Sequence, residues 1–198
     1  MKKLALDFYS ADVITVAKRL IGCYLVRELE EGTIIGRINE VEAYDGAIDK
    51  ACHAYGGKRT VRNEPLFRAG GIAHVYFVYG MHNCLNVVSG VMDEPAAVLL
   101  RGIDIVQGAD LAAFNRYSKR MEELTKAQIK NLSNGPGKLC SALSVDRTFD
   151  YEPLSGSRLY ICGQIRDFQK LPVTVTASKR IGIDYAEEAV DFLWRFTG

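Results

Sequence analysis

The chain has 198 residues, 48% of them apolar and 25% charged, and a formal net charge of +1. This length and balance suit a single globular domain, 1–198, with a full core. The apolar runs, such as Ala96 to Leu100, are too short to cross a bilayer. Met1-Lys2-Lys3-Leu4 lacks the apolar stretch of a signal peptide. The five cysteines, Cys23, Cys52, Cys84, Cys140 and Cys162, are odd in number, widely spaced and without a Cys-x-x-Cys pair. They read as reduced, mostly buried thiols, and the expected location is cytoplasmic, nucleoid-associated if the source is a bacterium. A near-neutral total weighs against a broad basic footprint for nucleic acid, but local patches occur. Lys58, Arg59, Arg62 and Arg68 crowd one loop region, and Lys179-Arg180 form a second spot.

Ser10 is expected to begin a helix, because Val13, Val16, Ala17 and Leu20 keep i, i+3, i+4, i+7 spacing and Gly22 is a natural stop. Cys23–Leu29 and Thr33–Ala43 read as strands joined by a Glu30-Glu31-Gly32 turn. Tyr44 to Gly71 is long, irregular and glycine-rich, a pattern that in a compact domain is usually functional or disordered, and it holds His53. His74–Tyr79, Cys84–Ser89 and Ala96–Ile103 are β-branched or apolar and read as strands, with Gly80-Met81-His82-Asn83 a tight connection between the first two. Leu111, Phe114, Tyr117, Met121 and Leu124 fit one face of a long helix. Pro136 opens a shorter helix through Leu143. Arg158–Cys162 and Val173–Thr176 read as late strands, and Asp184-x-x-Glu187 as a capping box. Strands and helices come in blocks, which predicts an α+β fold, a curved and largely antiparallel sheet with helices around it.

Glu42 sits at a strand end before the long loop, where a carboxylate can activate water or remain a plain solvated charge. Tyr44, His53, Tyr76 and Tyr79 bring rings into the same stretch of sequence. Tyr76 and Tyr79 have opposite strand parity, so one can line a pocket while the other projects at a tip. Cys52-His53 and His82-x-Cys84 are metal-capable pairs at no recognised spacing, and no nucleophile elbow or Walker pattern is present.

Taken in order, the motifs are Glu42-Ala43-Tyr44, His53, Arg62-Asn63, Val75-Tyr76-Phe77-Val78-Tyr79-Gly80-Met81, Asn86, Val98-Leu99-Leu100-Arg101, Gly135-Pro136-Gly137-Lys138-Leu139-Cys140 and Arg180-Ile181-Gly182. This ordered set closely resembles the alkyladenine DNA glycosylases, also called 3-methyladenine or N-methylpurine DNA glycosylases, over roughly Ala11 to Phe196. The resemblance implies a repair hydrolase that flips a damaged purine from duplex DNA and cuts its bond to the sugar. It implies no metal, no cofactor, no membrane, no obligate protein partner and no strand-cleaving lyase step; a monomer is expected.

By the same resemblance, Glu42 activates the water that attacks C1′, and Arg101 helps place that water and the backbone phosphate. The main-chain carbonyl of Ile181 holds the water. The base stacks between Tyr44 and the pair His53 and Tyr76. A backbone N–H near His53 reads the purine edge, and Ala43 belongs to the base-binding set. Asn86 excludes a guanine-type amino group. Tyr79, with Met81, is the wedge that fills the gap in the duplex. Lys138, Arg59, Arg62 and Arg180 are the expected phosphate contacts, and no lysine is expected in the site. Each role has physical sense: a stacked base is out of reach until flipped, and a flat apolar side chain must then take its place.

The chain departs from the family pattern at three places. His74 stands where another aromatic is common, His82 and Asn83 follow Met81 where aromatics are common, and Leu193-Trp194-Arg195-Phe196 lacks the family's proline. The last is expected to affect packing more than chemistry. Two other readings stay open: a non-catalytic nucleic-acid module of the same fold, and a hydrolase of free nucleosides, which would not need the wedge.

Overall fold

A computed structural model describes residues 2–78, 80–164 and 174–198. In chain order its strands are β1 (Lys2–Lys3), β2 (Tyr24–Leu29), β3 (Gly32–Asp45), β4 (Ala73–Val78), β5 (His82–Val88), β6 (Ala96–Gln107), β7 (Leu159–Gln164), β8 (Thr176–Ser178) and β9 (Arg195–Thr197). The helices are α1 (Leu6–Tyr9), α2 (Val13–Leu20), α3 (Ala109–Tyr117), α4 (Lys126–Lys130) and α5 (Pro136–Ala142). The strands join one antiparallel sheet in the order β1-β7-β2-β3-β6-β5-β4, and β9 pairs with both β3 and β8. The fold is α+β, as the blockwise pattern predicts. No helix among the described residues is long and apolar enough to cross a membrane.

Alternation along the four strands β3, β6, β5 and β4 decides where everything sits. One parity supplies Val41, Ala43, Val98, Leu100, Leu85, Val87, Ala73 and Val75, all buried in the main core. The other parity supplies Glu42, Tyr44, Leu99, Arg101, Cys84, Asn86, His74 and Tyr76. The register holds these polar positions side by side, with Glu42 opposite Leu99, Tyr44 opposite Ala97, Asn86 opposite both Leu99 and His74, and Tyr76 opposite Cys84. Period-two geometry thus builds an apolar face and a chemically mixed face on the same strands.

Helix α2 closes the core with Val13, Val16, Ala17 and Leu20, all buried, each large one worth about 1.5–3 kcal/mol. It begins one turn later than Ser10 suggests. Asp12 is the cap, accepting a hydrogen bond from Thr15 N at 2.9 Å, while Ser10 ends the short α1.

The long helix expected over Leu111–Leu124 is two pieces. Helix α3 stops where Ser118 turns left-handed, with φ 54, and a single 3-10 turn follows at Met121–Glu123. Ala112 and Ala113, not Phe114, face the core, and Phe114 is exposed. Nor does Asp184-x-x-Glu187 cap a helix: Glu187 has φ 48, lies inside a 3-10 segment Glu187–Asp191 and pairs with Lys50. Of the strand expected at Val173–Thr176, Val173 lies outside the described residues, and the observed strand is Thr176–Ser178.

Candidate active site

The mixed face floors a cleft of about 530 Å³, a size that suits a small-molecule site. Tyr44, His53, Tyr76, Asn86, Arg101, Lys138 and Ile181 all line it. Three other parts of the chain complete the walls: the loop with Ala51, Cys52, His53 and Leu66, the N-terminal end of α5, and the segment Ile181–Tyr185.

Glu42 lies beneath this lining, 0% exposed. Its Oε2 accepts from the Tyr44 hydroxyl at 2.8 Å and from Arg101 Nη1 at 3.3 Å. Its Oε1 accepts from the Ile181 backbone N–H at 2.8 Å. Three donors, one of them cationic, are what a buried carboxylate needs to stay folded in place. Burial, with the Glu42 charge next, pushes the Tyr44 hydroxyl far above the ordinary tyrosine range, so Tyr44 remains a donor.

Arg101 owes its place to a register break. Glu40 pairs with Gly102 and Val41 with Leu100, leaving Arg101 as the extra residue of a bulge. Its Nε donates to Glu40 Oε1 at 2.8 Å, and Arg195 Nε donates to the same oxygen at 2.7 Å. Burial opposes the Arg101 charge, but Glu42 and Glu40 outweigh it and hold its pKa above the usual arginine value. For Glu40, burial is again outweighed, here by Arg195 and Arg101, and the carboxyl stays below its usual range. The C-terminal Leu193-Trp194-Arg195-Phe196 segment therefore reaches the site through Arg195 and Glu40, one contact beyond what packing alone implies.

The Gly135-Pro136-Gly137-Lys138 motif is tied to the same place. Gly135 N donates to the Arg101 carbonyl at 2.6 Å. Gly137 allows His82 against the helix end, since a Cβ there would lie 3.0 Å from the His82 Cβ. Arg62-Asn63 divides its work. Asn63 is buried and pins the loop, donating to the His53 and Lys58 carbonyls at 2.9 and 2.7 Å. Arg62 is exposed, with its guanidinium 5.7 Å from the Tyr76 ring centre.

Several expected roles meet a different geometry. Ala43 is fully buried on the core face, with its N–H given to Trp194 O and its carbonyl accepting from Arg180; strand parity turns it away from the cleft. Arg180, expected at a phosphate, is buried and paired inside the protein. It forms a buried pair with Asp49 and also donates to Ala189 O, with Tyr44 4.7 Å under its guanidinium. Ile181 meets Glu42 with its N–H, a contact additional to the water-holding carbonyl that the resemblance implies. Arg59 is spent on a two-bond pair with Glu64 and a third contact to Asp93. Lys138 does line the cleft, against the expectation of a lysine-free site, and its Nζ is held by the side-chain oxygens of Asn131 and Asn134 at 2.6 and 3.1 Å. Met81 is 69% exposed at the β4–β5 turn; its neighbour Tyr79 lies outside the described residues.

The cleft also contains residues that pattern reading passes over: Arg116, Ile183 and Tyr185. Tyr185 is 67% exposed at the mouth, on a segment anchored by buried Ile183 and Ala186. A lone tyrosine after a misread cap carries no sequence signal, and only the fold brings it beside Tyr76.

The chemistry of the arrangement is a buried carboxylate backed by arginine under an aromatic slot. Comparison with known proteins points the same way. The family model for methylpurine-DNA glycosylase matches residues 7–198. A Clostridioides difficile protein, provisionally named a 3-methyladenine DNA glycosylase, is 45% identical over 196 residues, covering 96% of this chain and 97% of that protein. Proteins given the same provisional name are 46% identical in Desulfitobacterium hafniense, covering 99% of this chain and 95% of that one. In Clostridium perfringens the figure is 48%, covering 98% and 94%. With a family match over nearly every residue and relatives this similar along their whole length, the chain belongs to the methylpurine-DNA glycosylase family.

Proposed function

We propose that this protein is a monofunctional DNA glycosylase that flips alkylated or deaminated purines out of the duplex and hydrolyses the N-glycosidic bond. The observation that carries the reading is Glu42, fully buried under the aromatic cleft and held by Tyr44, Arg101 and Ile181 N–H. A flipped base slides between Tyr44 on one side and His53 with Tyr76 on the other, and a backbone N–H near His53 reads its edge. Stacking of this kind is worth about 1–3 kcal/mol per base and tolerates different bases. Electron-rich rings also favour the positive charge that alkylation places on a purine.

Departure of the base leaves an oxocarbenium-like sugar above Glu42, where a fixed anion stabilises it. Among the described residues Oε1 has one hydrogen-bond donor, the Ile181 N–H, which leaves a lone pair for the attacking water. The carboxylate takes the water's proton as the oxygen bonds to C1′. Lys138 Nζ is committed to two asparagine oxygens, which favours hydrolysis over a Schiff base. Arg62, exposed beside the cleft, meets DNA phosphate, and Lys138 joins it only by exchanging its asparagine partners for a phosphate oxygen; Tyr79 with Met81 fills the gap left by the base.

The test is purine release from duplexes that each carry one lesion (3-methyladenine, 7-methylguanine, hypoxanthine or ethenoadenine), set against the matching free nucleosides. Release from duplex alone is expected. Equal release from free nucleosides would make the protein a nucleoside hydrolase, and binding without release would make it a non-catalytic module.

A further inference from the structure

His74 is a buried histidine that the hydrolysis does not use. It is 1% exposed, two residues before Tyr76 on β4 and directly across from Asn86 on β5. Its Nδ1 lies 2.9 Å from Asp150 Oδ1, which also accepts from Val75 N at 3.0 Å. A carboxylate oxygen at that distance takes an N–H, so Nδ1 carries the proton and Nε2 is left as an acceptor. Among the described residues that Nε2 is buried without a hydrogen-bond partner. An unmatched buried nitrogen is a cost, commonly about 1–3 kcal/mol, in a place where a phenylalanine would avoid it.

The ring geometry shows what the imidazole does there. His74 and Tyr76 are stacked, with centres 5.4 Å apart and planes 23° apart. His53 meets the other partner of that stack edge-on, 5.1 Å from Tyr76 at 82°. Cys84 stands directly across from Tyr76 on β5, with its thiol beside the Tyr76 hydroxyl. Its ring is thus fixed at three places: His74 along its face, His53 at right angles, and Cys84 at its tip. Of these, His74 has its ring hydrogen-bonded beyond β4 and β5, to Asp150 at the end of the 3-10 turn Arg147–Phe149. Burial holds the His74 pKa below its usual value even beside Asp150, so the ring under Tyr76 is uncharged at neutral pH.

We propose that His74, anchored by Asp150, is a positioning residue that sets the plane of Tyr76 and with it the width of the base slot. The proposal rests on the reading that a flipped purine stacks against Tyr76. An aromatic pair held nearly parallel resists rotation of either ring. Without the imidazole, Tyr76 keeps its hydroxyl contact but can swing about it, and the slot no longer matches a flat base.

The experiment compares His74→Ala and His74→Phe, each in a Glu42→Gln background that keeps the base attached, using a duplex with a single ethenoadenine. Emission of that base reports its stacking when protein binds. The same His74 substitutions with Glu42 intact are assayed for single-turnover release, and thermal unfolding is followed for all. The expected result is a clear emission change with His74, its loss in His74→Ala, and its recovery in His74→Phe. Release should fall about tenfold in His74→Ala and stay within about threefold in His74→Phe, as stacking energies of this size imply. If His74→Ala retains the full emission change, the proposal is overturned. It is overturned equally if His74→Phe folds with an undiminished melting temperature yet behaves like His74→Ala. If the protein with His74 shows no emission change on binding, the reading of Tyr76 as a base platform fails first, and this outcome is distinct from either of the others.

Discussion

The two faces of the β3-β6-β5-β4 sheet are built from alternate residues of the same strands, yet they obey different rules. The core face carries Val41, Ala43, Leu100 and Val87, and its contribution is buried area. The cleft face carries Glu42, Tyr44, Arg101, Asn86 and His74, and all of these but Asn86 are held by named hydrogen bonds or ring contacts. The contrast teaches that polarity alone does not mark the functional side, since Glu42 and His74 are as buried as their core neighbours. What distinguishes the cleft face is charge kept inside the protein at a cost that packing does not require.

Substitutions on adjacent residues should separate the two faces. Glu42→Gln keeps the shape of the side chain and should keep lesion binding, while single-turnover release falls by at least about a hundredfold. Leu100→Ala, next to Arg101 but on the opposite face, should cost about 2–5 kcal/mol of stability and leave the folded fraction with normal release rates. Denaturant unfolding and release assays on both variants check the contrast, and near-normal turnover in Glu42→Gln would end the proposed mechanism.

Arg180 sharpens the comparison because sequence context places it among DNA contacts and the fold places it inside. Arg180→Ala leaves Asp49 buried without its partner and should cost about 3–5 kcal/mol. The slope of DNA affinity against salt should not change, whereas loss of a phosphate contact would lower it by about one. A lower slope with unchanged stability would restore Arg180 to the interface.

Much of this was legible before the fold. Alternation placed β2, β3, β5 and β6 within a few residues, and Pro136 marked α5. Strand parity sets Glu42 and Tyr44 on one face and Ala43 on the other, and placing Ala43 in the base-binding set overlooked that alternation. Failures came where a local signal was overruled from a distance. Leu111 to Leu124 keeps helical spacing, but the left-handed Ser118 interrupts it. Asp184-x-x-Glu187 looks like a cap, but Glu187 serves Lys50. Arg180 has the appearance of a loop cation until Asp49, distant in sequence, meets it. Tyr185 and Arg116 enter the cleft by tertiary placement alone.

Asn86 tests the middle of the cleft face. Its side chain lines the slot beside Leu99, where a guanine-type amino group would have to fit. Asn86→Ser should raise release of guanine-type bases on the order of tenfold, the size expected from relieving one misplaced polar contact. Release of 3-methyladenine should hardly change. A large fall in melting temperature with no gain on guanine-type bases would make Asn86 a structural residue of β5.

The smallest expected effect concerns His53, which lines the cleft edge-on to Tyr76. Cationic lesions such as 3-methyladenine and 7-methylguanine already have a good leaving group, so release should rise with pH to a plateau set by the general base Glu42 alone. Neutral hypoxanthine leaves better when protonated and should give a bell. A histidine donating that proton would need to hold it near neutral pH. Burial, then Arg62 and His74, lower the His53 pKa below its usual value, so at pH 7, already above the unperturbed value of about 6.5, the ring is mostly neutral. The same sign applies to stability: the unfolded chain binds this proton more readily, so the His53 contribution is full above about pH 6.5 and is lost as pH falls through the lower folded value. His53→Gln should therefore reduce release of both lesion types by one common factor, from lost stacking, and leave the shape of each profile intact. Single-turnover rates across pH at saturating enzyme decide it. A bell for hypoxanthine that collapses only in His53→Gln would make His53 the acid, and one shared profile for both lesion types would remove the leaving-group argument itself.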